Sequence, residues 1–355
     1  MTDKQINDFA VSKQTSLTSA MQKIDNNANG IVFVVDDSLH LCGAVSDGDI
    51  RRWLLKSGSI DAKVCQLMNN NPIFVQTNEI NNATNVMEKK CIRALPVVDK
   101  DGIIIDVCLA KKDNGTLNNK ENMLENVAVV IMAGGMGTRL YPYTKILPKP
   151  LIPIGEIPIV ERVINCFNDY GVKDFFMTVN YKKRMIQSYF DDIQKGYNIE
   201  YVEEEKPLGT GGSIKLIKRK FEQPLFVANC DSLIRTDYAK LYDYHISTGN
   251  MITIVTSLKN NTIPYGVVYS KEDGELDHMV EKPTTSFLIN TGMYVINPEM
   301  IDLIPSDTMF HMTHLVDNAK ELGYKVGIYP ISEDSFLDMG EFAEMKRMEE
   351  KLDVK

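Results

Sequence analysis

Residues 127–133 read VAVVIMA and run directly into a glycine cluster at Gly134, Gly135 and Gly137. A continuous apolar run of strand length is typical of a strand that is buried on both faces of an α/β sheet. Ligands of open α/β sheets bind at the carboxyl ends of such strands, where glycines let backbone N–H groups approach phosphate oxygens closely. The run therefore predicts an α/β domain whose first strand ends in a phosphate-binding loop.

Two cations follow the glycines. The loop is not a dinucleotide fingerprint, because Leu140 stands where the last glycine of G-x-G-x-x-G would be, and it is not a Walker A loop, because no G-K-[ST] closes it. The planar fork of Arg139 and the point charge of Lys149 suit a polyphosphate. Pro148 and Pro150 flank Lys149 and fix the backbone that presents its charge.

The strings GGMGTRL, PYT and PKPLIPI (residues 134–154) resemble the signature of the sugar-1-phosphate nucleotidyltransferases, which is G-G-x-G-T-R-L, then P-x-T, then P-K-P-L-x-P. The resemblance implies a Rossmann-like mixed-sheet α/β domain over residues 127–355. It also implies that the glycines and Thr138 cradle the nucleotide phosphates, that Arg139 binds the leaving pyrophosphate, and that Lys149 stabilises charge on the α-phosphate.

Later segments resemble the family's other motifs in the family's order. PLGTGG would meet the base, FVANCD and FLDMG would each supply a metal ligand, and PYGVV, VEKP and NTGMYV would face the sugar. Gly211, Cys230 and Thr291 depart from the usual alanine, glycine and alanine. The residues implied are Leu208, Gly209 and Thr210 for the base; Tyr265, Gly266, Glu281, Lys282, Asn290 and Thr291 for the sugar phosphate; and Asp231 and Asp338 for Mg²⁺.

The reaction implied is a nucleoside triphosphate plus a sugar 1-phosphate giving a nucleoside diphosphate-sugar and pyrophosphate. The attacking phosphate is already anionic at neutral pH, so no general base is required. Catalysis would rest on positioning and charge neutralisation, with Mg²⁺ bound by oxygen ligands. Lys282 would meet the sugar phosphate, and Glu281 and Asn290 the sugar hydroxyls or an amine.

The motifs leave the substrates open. The chain is similar to a bacterial subgroup that includes guanylyltransferases acting on glucosamine 1-phosphate in the route to legionaminic acid, which favours GTP and a hexosamine 1-phosphate. The alternatives are GTP with mannose 1-phosphate or heptose 1-phosphate, and UTP or dTTP with glucose 1-phosphate. A nucleotide-sensing regulatory protein without turnover is an alternative of a different class. Loss of Arg139, Lys149 or either aspartate would indicate it, and all four are present.

The first third of the chain contains an internal repeat. Val34, Val35 and Asp36 recur as Val97, Val98 and Asp99, an offset of 63 residues. Each unit reads as helix, strand, turn and strand, and a single such unit cannot bury its apolar face alone. The repeat predicts an α+β pair of stacked units at about residues 8–60 and 71–112. A linker rich in Asn, Gly and Lys follows at residues 113–126.

The repeated pair resembles the CBS-domain pair, a module that often binds adenine nucleotides. In the family a hydroxyl residue and an acid three positions later hold the ribose and phosphate, and Ser46 and Asp49 fit that spacing, with Arg51 or Arg52 available for phosphate. The second repeat has Leu109 and Lys112 at those positions. At most one nucleotide-type site is expected, and the alternative is a dimerisation module without ligand.

Composition excludes other classes of function. A net charge of −9 over 355 residues, without a basic run, argues against nucleic acid or an anionic membrane as the main partner. The polar N-terminus lacks the features of a signal peptide, and six scattered cysteines are typical of reduced thiols. We therefore expect a cytoplasmic enzyme that assembles as a homo-oligomer. His311 and His314 have a spacing that could bind a metal, but no third ligand is nearby.

Overall fold

A computed structural model describes residues 6–27, 29–57, 59–90, 92–110 and 123–352. Contacts divide the chain into two compact units. The first contains the described residues within Met1–Asp113 together with Leu258–Ile289 and Ser332–Asp334, and the second contains the rest. Most of the predicted linker, and Lys112 before it, lie outside the described residues.

Among the described residues, the N-terminal part of the first unit contains two three-stranded sheets. The strands are β1 Ala10–Ser12, β2 Ile31–Val35, β3 Leu41–Ser46, β4 Val75–Gln76, β5 Ala94–Val98 and β6 Ile104–Leu109, and the helices are α1 Leu17–Asn27, α2 Asp47–Ser57 and α3 Ala83–Lys90. In each sheet the central strand pairs in parallel with the strand before it and antiparallel with the strand after it. The 63-residue repeat of the sequence is therefore a repeat of structure.

The two repeats share their turn in atomic detail. Oδ1 of Asp36 accepts hydrogen bonds from the backbone N–H groups of Ser38 and His40, and Oδ1 of Asp99 accepts the equivalent pair. The left-handed residue of the turn is Leu39 in the first repeat, with φ 63°, and Gly102 in the second, with φ 84°. An aspartate that bonds its own following backbone fixes such a turn, which explains why it recurs.

The repeats differ in how well they are covered. Leu17 of α1 is fully buried, whereas its counterpart Ile80 lies in a 3-10 turn, Thr77–Asn82, and is 40% exposed. In the first repeat α2 also buries Ile50 and Leu54. The apolar face of the second repeat is therefore covered less completely by the described residues.

A later part of the chain joins this first unit. Leu258–Ile289 carries a two-stranded hairpin, β15 Val267–Ser270 with β16 Leu276–Val280. Leu258 and Leu288 pack into the core of the first repeat. The hairpin therefore belongs to the same compact body as the repeated module.

The second unit is built on a seven-stranded mixed sheet. The strands are β7 Ala128–Met132, β10 Asp174–Val179, β11 Asn198–Glu203, β12 Leu225–Asn229, β14 Ile252–Thr262, β17 Thr284–Ile296 and β18 Val326–Ile331. Their order in the sheet is β11-β10-β7-β12-β17-β14-β18. Strands β11, β10, β7 and β12 are parallel, β17 is antiparallel to β12, and β14 is parallel to β18.

Helices cover both faces of this sheet, and β7 is buried throughout, as its apolar sequence predicts. Val129 and Ile131 face one core and Val130 faces the other. The first core receives α5 Ile159–Asn168, α6 Lys183–Asp192 and α8 Tyr238–Thr248, and the second receives α9 Met312–Glu321. The predicted fold class, an α/β mixed-sheet domain preceded by an α+β pair, is confirmed.

Short elements surround the carboxyl ends of the strands. They are the 3-10 turns Thr138–Leu140 and Lys149–Leu151, the helices α4 Tyr143–Ile146 and α7 Gly209–Gly212, the hairpin β8 Pro153–Ile154 with β9 Ile157–Pro158, and the ribbon β13 Ser232–Ile234 with β19 Phe336–Asp338. The last helix is α10, Phe342–Leu352. Among the residues described, none of the helices combines the length and apolar character needed to cross a membrane.

Candidate active site

The glycine loop begins directly after β7. Ala133 still belongs to the sheet, because its N–H donates to the carbonyl of Thr178 at 3.0 Å. Within the described part of the chain, the next four backbone N–H groups, at residues 134–137, donate no hydrogen bond. A Cβ placed on Gly135 would meet no atom within 4 Å. The loop therefore offers free donors beside open space, as a phosphate-binding loop requires.

Two of the glycines are required by close packing. Gly137 has φ 64°, and a Cβ on it would lie 3.0 Å from the side chains of both Lys149 and Thr144. A Cβ on Gly134 would lie 2.5 Å from Oε1 of Glu204. The first position therefore needs glycine for its left-handed backbone, and the second needs it because a buried carboxylate lies against it.

Three side chains outside the glycine cluster hold the loop in place. The hydroxyl of Thr144, which is fully buried, donates to the carbonyl of Gly137 at 2.9 Å. The phenol of Tyr181 donates to the carbonyl of Thr144 at 3.0 Å. Nζ of Lys182 donates to the carbonyls of Lys145 and Ile146, both at 2.6 Å. Sequence reasoning did not identify Tyr181 or Lys182, because they follow a different strand, β10, and match no motif.

Glu204 connects the glycine loop with the segment predicted to meet the base. Its carboxylate accepts a hydrogen bond from the N–H of Leu208 at 3.2 Å. Burial raises the pKa of the Glu204 carboxyl above its ordinary value, against the effect of that hydrogen bond. Sequence reasoning could not distinguish Glu204 from its neighbours in the run EEE at residues 203–205.

The base segment itself is a tight turn leading into α7. Leu208 is buried, Gly209 has φ 78°, and Thr210 is exposed. The N–H groups of Gly211 and Gly212 both donate to the carbonyl of Phe310 at 2.9 Å. The segment is therefore fixed by a part of the chain about a hundred residues later.

The two predicted metal ligands lie together on the ribbon of β13 and β19. Ser232, next to Asp231, pairs in register with Asp338, and its hydroxyl donates to Oδ1 of Asp338 at 3.0 Å. The N–H of Met339 donates to the carbonyl of Asp231 at 3.0 Å. The ribbon thus brings together two acids that are 107 residues apart in the sequence.

Both predicted cations reach this acid pair. Nζ of Lys149 donates to Oδ2 of Asp231, and both side chains are largely buried. Burial, reinforced by the charge of Asp231, raises the pKa of the Asp338 carboxyl. The hydrogen bond from Ser232 and the positive charges of Lys149 and Arg139 act in the opposite direction. The four charged residues therefore form one electrostatic cluster beside the glycine loop.

Cys230, which stands where the family usually has glycine, lies next to this cluster and is buried. Burial, with the nearby charge of Asp231, raises the pKa of its thiol to about 12. A thiol with so high a pKa carries almost no thiolate at neutral pH. Cys230 therefore packs as a small apolar residue and does not act as a nucleophile.

The predicted sugar-side residues of the second unit use their side chains within the protein. Asn290 donates to the phenol of Tyr294 at 2.6 Å and accepts from the N–H of Gly292 at 2.9 Å. Thr291 is buried, and its hydroxyl donates to the carbonyl of Val255 at 2.7 Å. Asn290 therefore has a fixed orientation at an exposed position of β17, whereas Thr291 holds this part of β17 to β14.

The other predicted sugar-side residues lie on the hairpin of the first unit. A Cβ on Gly266 would lie 2.9 Å from Oε2 of Glu281, so the carboxylate folds over the glycine. The N–H of Lys282 donates to the carbonyl of Tyr265 at 3.3 Å, and Lys282 has φ 46°. Tyr265 is 74% exposed. These four residues thus cluster at the open ends of β15 and β16.

The predicted CBS ligand residues occupy the start of α2. The hydroxyl and the N–H of Ser46 both donate to Oδ2 of Asp49, at 2.6 and 2.9 Å. Nη2 of Arg52 pairs with Oδ1 of Asp49 at 2.5 Å. Ser46 and Asp49 are therefore in direct contact, and Arg52 forms an ion pair with the acid.

The arrangement in the second unit can bind and polarise a phosphate chain. The glycine loop offers unpaired N–H groups, and two cations and two carboxylates form a cluster beside it. Among the residues described, no group of three or more His, Cys, Asp or Glu side chains could hold a metal on its own. Two carboxylates suit Mg²⁺, which usually takes one or two protein carboxylates and completes its shell with water and substrate phosphates.

Comparison with known families and proteins agrees with this geometry. The profile of the family described as "Nucleotidyl transferase" matches residues 128–351, and the CBS domain profile matches residues 3–56. The mannose-1-phosphate guanyltransferases of Debaryomyces hansenii and Saccharomyces cerevisiae are each 36% identical to the chain over 184 residues, which are 49% of this chain and 51% of each relative. The chain spans about half the length of the curated relatives it matches.

A solved structure shares the fold. The crystal structure of HddC from Yersinia pseudotuberculosis is 26% identical, covers 64% of this chain and 99% of its own, and superposes with a TM-score of 0.50. The match covers a share of the chain comparable to that of the family profile. About a third of this chain lies outside the match with that structure.

Proposed function

Because the chain belongs to the nucleotidyl transferase family, we propose that it transfers GMP from GTP to a sugar 1-phosphate, giving a GDP-sugar and pyrophosphate. The observation that carries the proposal is the cluster of Arg139, Lys149, Asp231 and Asp338 beside a glycine loop with free N–H donors. A phosphate oxygen of the sugar phosphate forms a bond to the α-phosphorus. The bond from that phosphorus to the oxygen bridging to the β-phosphate breaks, and pyrophosphate leaves with the electron pair.

Each residue of the cluster has a role in this proposal. The N–H groups of Gly134, Gly135 and Gly137, with Thr138, bind the triphosphate, and Arg139 neutralises the leaving pyrophosphate. Lys149 stabilises the charge that develops on the α-phosphate, because it is held at the end of the loop by Asp231. No proton has to be removed from an anionic phosphate, so the reaction needs no histidine.

Mg²⁺ fits the acid pair. Burial, reinforced by the charge of Asp231, raises the pKa of the Asp338 carboxyl, and a divalent cation between the two carboxylates would favour their charged forms. Asp231 and Asp338 would hold the ion. When bound, Mg²⁺ neutralises charge on the phosphate oxygens and helps to orient them.

The family resemblance assigns the sugar to two groups of residues. Tyr265, Gly266, Glu281 and Lys282 lie on the hairpin, where Lys282 would meet the sugar phosphate and Glu281 a hydroxyl or an amine. Asn290 and Thr291 lie on β17, where Asn290 would meet a hydroxyl or an amine. The side chain of Thr291 is already bonded to the protein, so its part would be to hold β17 against β14. The base would lie against the backbone of Leu208, Gly209 and Thr210.

The names of the relatives support guanylyl transfer and favour mannose 1-phosphate as the acceptor. Glucosamine 1-phosphate, to which the subgroup resemblance points, is retained as the second acceptor. The carboxylate of Glu281 could accept hydrogen bonds from hydroxyls or pair with an amine, so it suits either sugar.

The proposal extends to the rest of the chain. The repeated module at residues 1–112 would bind a regulatory nucleotide at Ser46, Asp49 and Arg51 or Arg52, residues 113–126 would be the linker, and residues 127–355 the catalytic domain. We place the enzyme in the cytoplasm as a homo-oligomer. Calorimetry that detects no adenine or guanine nucleotide binding to the full chain beyond the catalytic site would contradict the regulatory part.

The test is pyrophosphate release from purified full-length protein with Mg²⁺. GTP is paired with mannose 1-phosphate and with glucosamine 1-phosphate, and UTP and dTTP with glucose 1-phosphate serve as comparison pairs. Release with GTP and either hexose phosphate is expected. Release only with a pyrimidine nucleotide would overturn the choice of base, and no release with any pair would favour the regulatory protein without turnover.

A further inference from the structure

We propose that His311 is a positioning residue for the segment Leu208–Gly212, and that it thereby controls the affinity for the nucleoside triphosphate. This inference rests on the proposed function, in which that segment receives the base. His311 immediately precedes α9 and belongs to none of the motifs that resemble the family signature. Its spacing from His314 is relevant only to metal binding and not to a nucleotide.

The backbone of the segment is bonded to the chain around Phe310 in both directions. The carbonyl of Phe310 accepts from Gly211 and Gly212 at 2.9 Å. The N–H of Phe310 donates to the carbonyl of Leu208 at 2.8 Å. Three short backbone hydrogen bonds therefore fix the shape of a turn that has no strand or long helix of its own.

The glycines of the segment are explained by this contact. A Cβ on Gly209 would lie 2.7 Å from the carbonyl oxygen of Phe310 and 3.0 Å from Nδ1 of His311. A Cβ on Gly212 would lie 2.8 Å from the carbonyl oxygen of Thr308. Distances this short leave no room for a side chain, so these glycines are required by close approach of the chain at residues 308–311 and not only by a ligand.

The departure from the family at Gly211 has the same cause. A Cβ on Gly211 would lie 3.2 Å from the carbonyl carbon of His311 and 3.3 Å from the backbone nitrogen of Met312. The usual alanine would have to displace this backbone by a few tenths of an ångström. In this chain, glycine at residue 211 and the close approach of His311 therefore belong together.

Side chains complete the contact. Nδ1 of His311 accepts from the N–H of Thr210 at 3.4 Å, and the N–H of Met312 donates to Oγ1 of Thr210 at 3.1 Å. The imidazole ring covers Gly209 from the same side. Removing the ring would open a gap against Gly209 and leave the N–H of Thr210 without this acceptor, so Gly209 and Thr210 would be held less firmly although the backbone bonds to Phe310 remain.

His314 provides a matched control. It is exposed, its Nδ1 accepts from the N–H of His311 at 3.3 Å, and its ring contacts the rings of both Phe310 and His311. Among the described residues no hydrogen bond joins His314 to Leu208–Gly212. Both histidines thus lie at the start of one helix, but one contacts the base segment and the other does not.

The experiment compares full-length wild type with His311→Ala, His311→Asn and His314→Ala. In His311→Ala we expect the KM for GTP to rise about five- to tenfold, the cost of one or two lost hydrogen bonds. The kcat and the KM for the sugar phosphate should stay within about twofold. His311→Asn keeps an acceptor oxygen and should recover most of the affinity, and His314→Ala should match wild type.

A merely structural role would lower kcat and change both KM values together, and that result would overturn the proposal. A GTP KM within twofold of wild type in His311→Ala would also overturn it. Calorimetry with GTP separates this inference from the proposed function. If wild type binds GTP without turnover, weaker binding to His311→Ala alone still supports the positioning role, and equal binding to wild type and variant contradicts it.

Discussion

Lys149 donates a hydrogen bond from Nζ to Oδ2 of Asp231, although the residues belong to different motifs and to different strand ends of the sheet. Both side chains are withdrawn from water, with 13% and 12% of their surface exposed. A pair with so little access to water depends on both partners, because removal of one leaves an uncompensated buried charge. The position of Lys149 is therefore set by the residue proposed to hold the metal.

Replacement of either partner should abolish most of the turnover. We expect Lys149→Ala and Asp231→Asn each to lower kcat by about a hundredfold or more, because each removes charge that matters mainly in the transition state. Pyrophosphate release measures this directly. Lys240→Ala is the control, since Lys240 is an exposed lysine of the same unit whose pairing with Asp237 is long, at 3.7 Å. Turnover near that of wild type in both site variants would refute the assignment.

Loss of the Tyr181 hydroxyl should impair catalysis without unfolding the protein. In Tyr181→Phe the carbonyl of Thr144 loses its donor, and Thr144 in turn holds Gly137. We expect a fall in kcat/KM for GTP of about three- to tenfold, the effect of one hydrogen bond. Tyr242→Phe is the matched control, because its phenol also donates to a backbone carbonyl, that of Pro224 at 3.1 Å, away from the loop. Equal losses in both variants would contradict the role of Tyr181.

Stability of the second unit should fall in mild acid because of His245. This residue is fully buried, with Nδ1 2.8 Å from the hydroxyl of Thr253 and Nε2 2.9 Å from Oδ1 of Asn297. Burial lowers the pKa of its imidazole below the ordinary value. The unfolded chain then binds the proton more readily than the folded chain, so stability is complete above about pH 6.5 and decreases as the pH falls towards the folded pKa.

Urea unfolding at pH 7.5 and pH 5.5 measures this effect. The free energy of unfolding of wild type should decrease between the two values, and His245→Gln should show a smaller decrease because it has no group that titrates there. An identical pH dependence in wild type and variant would show that His245 does not contribute.

The left-handed turn shared by the repeats predicts that replacing its glycine destabilises the protein, whereas replacing a glycine without a positive φ does not. Gly102→Ala should destabilise the protein by about 1 kcal/mol, because a residue with a Cβ is strained in the left-handed region. No atom lies within 4 Å of the position of its Cβ, so the cost would come from the backbone alone. Gly196→Ala, which is equally open but has no positive φ, should be neutral. Thermal unfolding of the two variants tests this, and equal melting temperatures would contradict it.

Sequence patterns were informative where the signal is local. The apolar run of β7 predicted a buried strand, and every residue of that strand is buried. The 63-residue offset predicted two similar units, and their structures repeat down to the aspartate turn. The elements of each unit depend on residues within a few positions of one another, and the repeat is visible because the same local pattern occurs twice.

The remaining features depend on contacts between distant parts of the chain. Nothing near Tyr181 in the sequence indicates that its phenol reaches Thr144, and nothing near His311 indicates that it covers Gly209. Assignment of Leu258–Ile289 to the first unit likewise follows from packing of Leu258 and Leu288 that no local pattern encodes. Glu204 differs from its two acidic neighbours only by the burial that the fold imposes.

In the proposed reaction, the protein transfers a nucleotidyl group and releases pyrophosphate. Phosphorus NMR of GTP, mannose 1-phosphate and Mg²⁺ with the full-length protein tests it most directly, because it detects both products at once. We expect the resonances of a nucleoside diphosphate-sugar and of pyrophosphate to grow in equal amounts with wild type. With Lys149→Ala we expect neither product on the same time scale. Formation of inorganic phosphate and GDP, or equal conversion by wild type and Lys149→Ala, would contradict it.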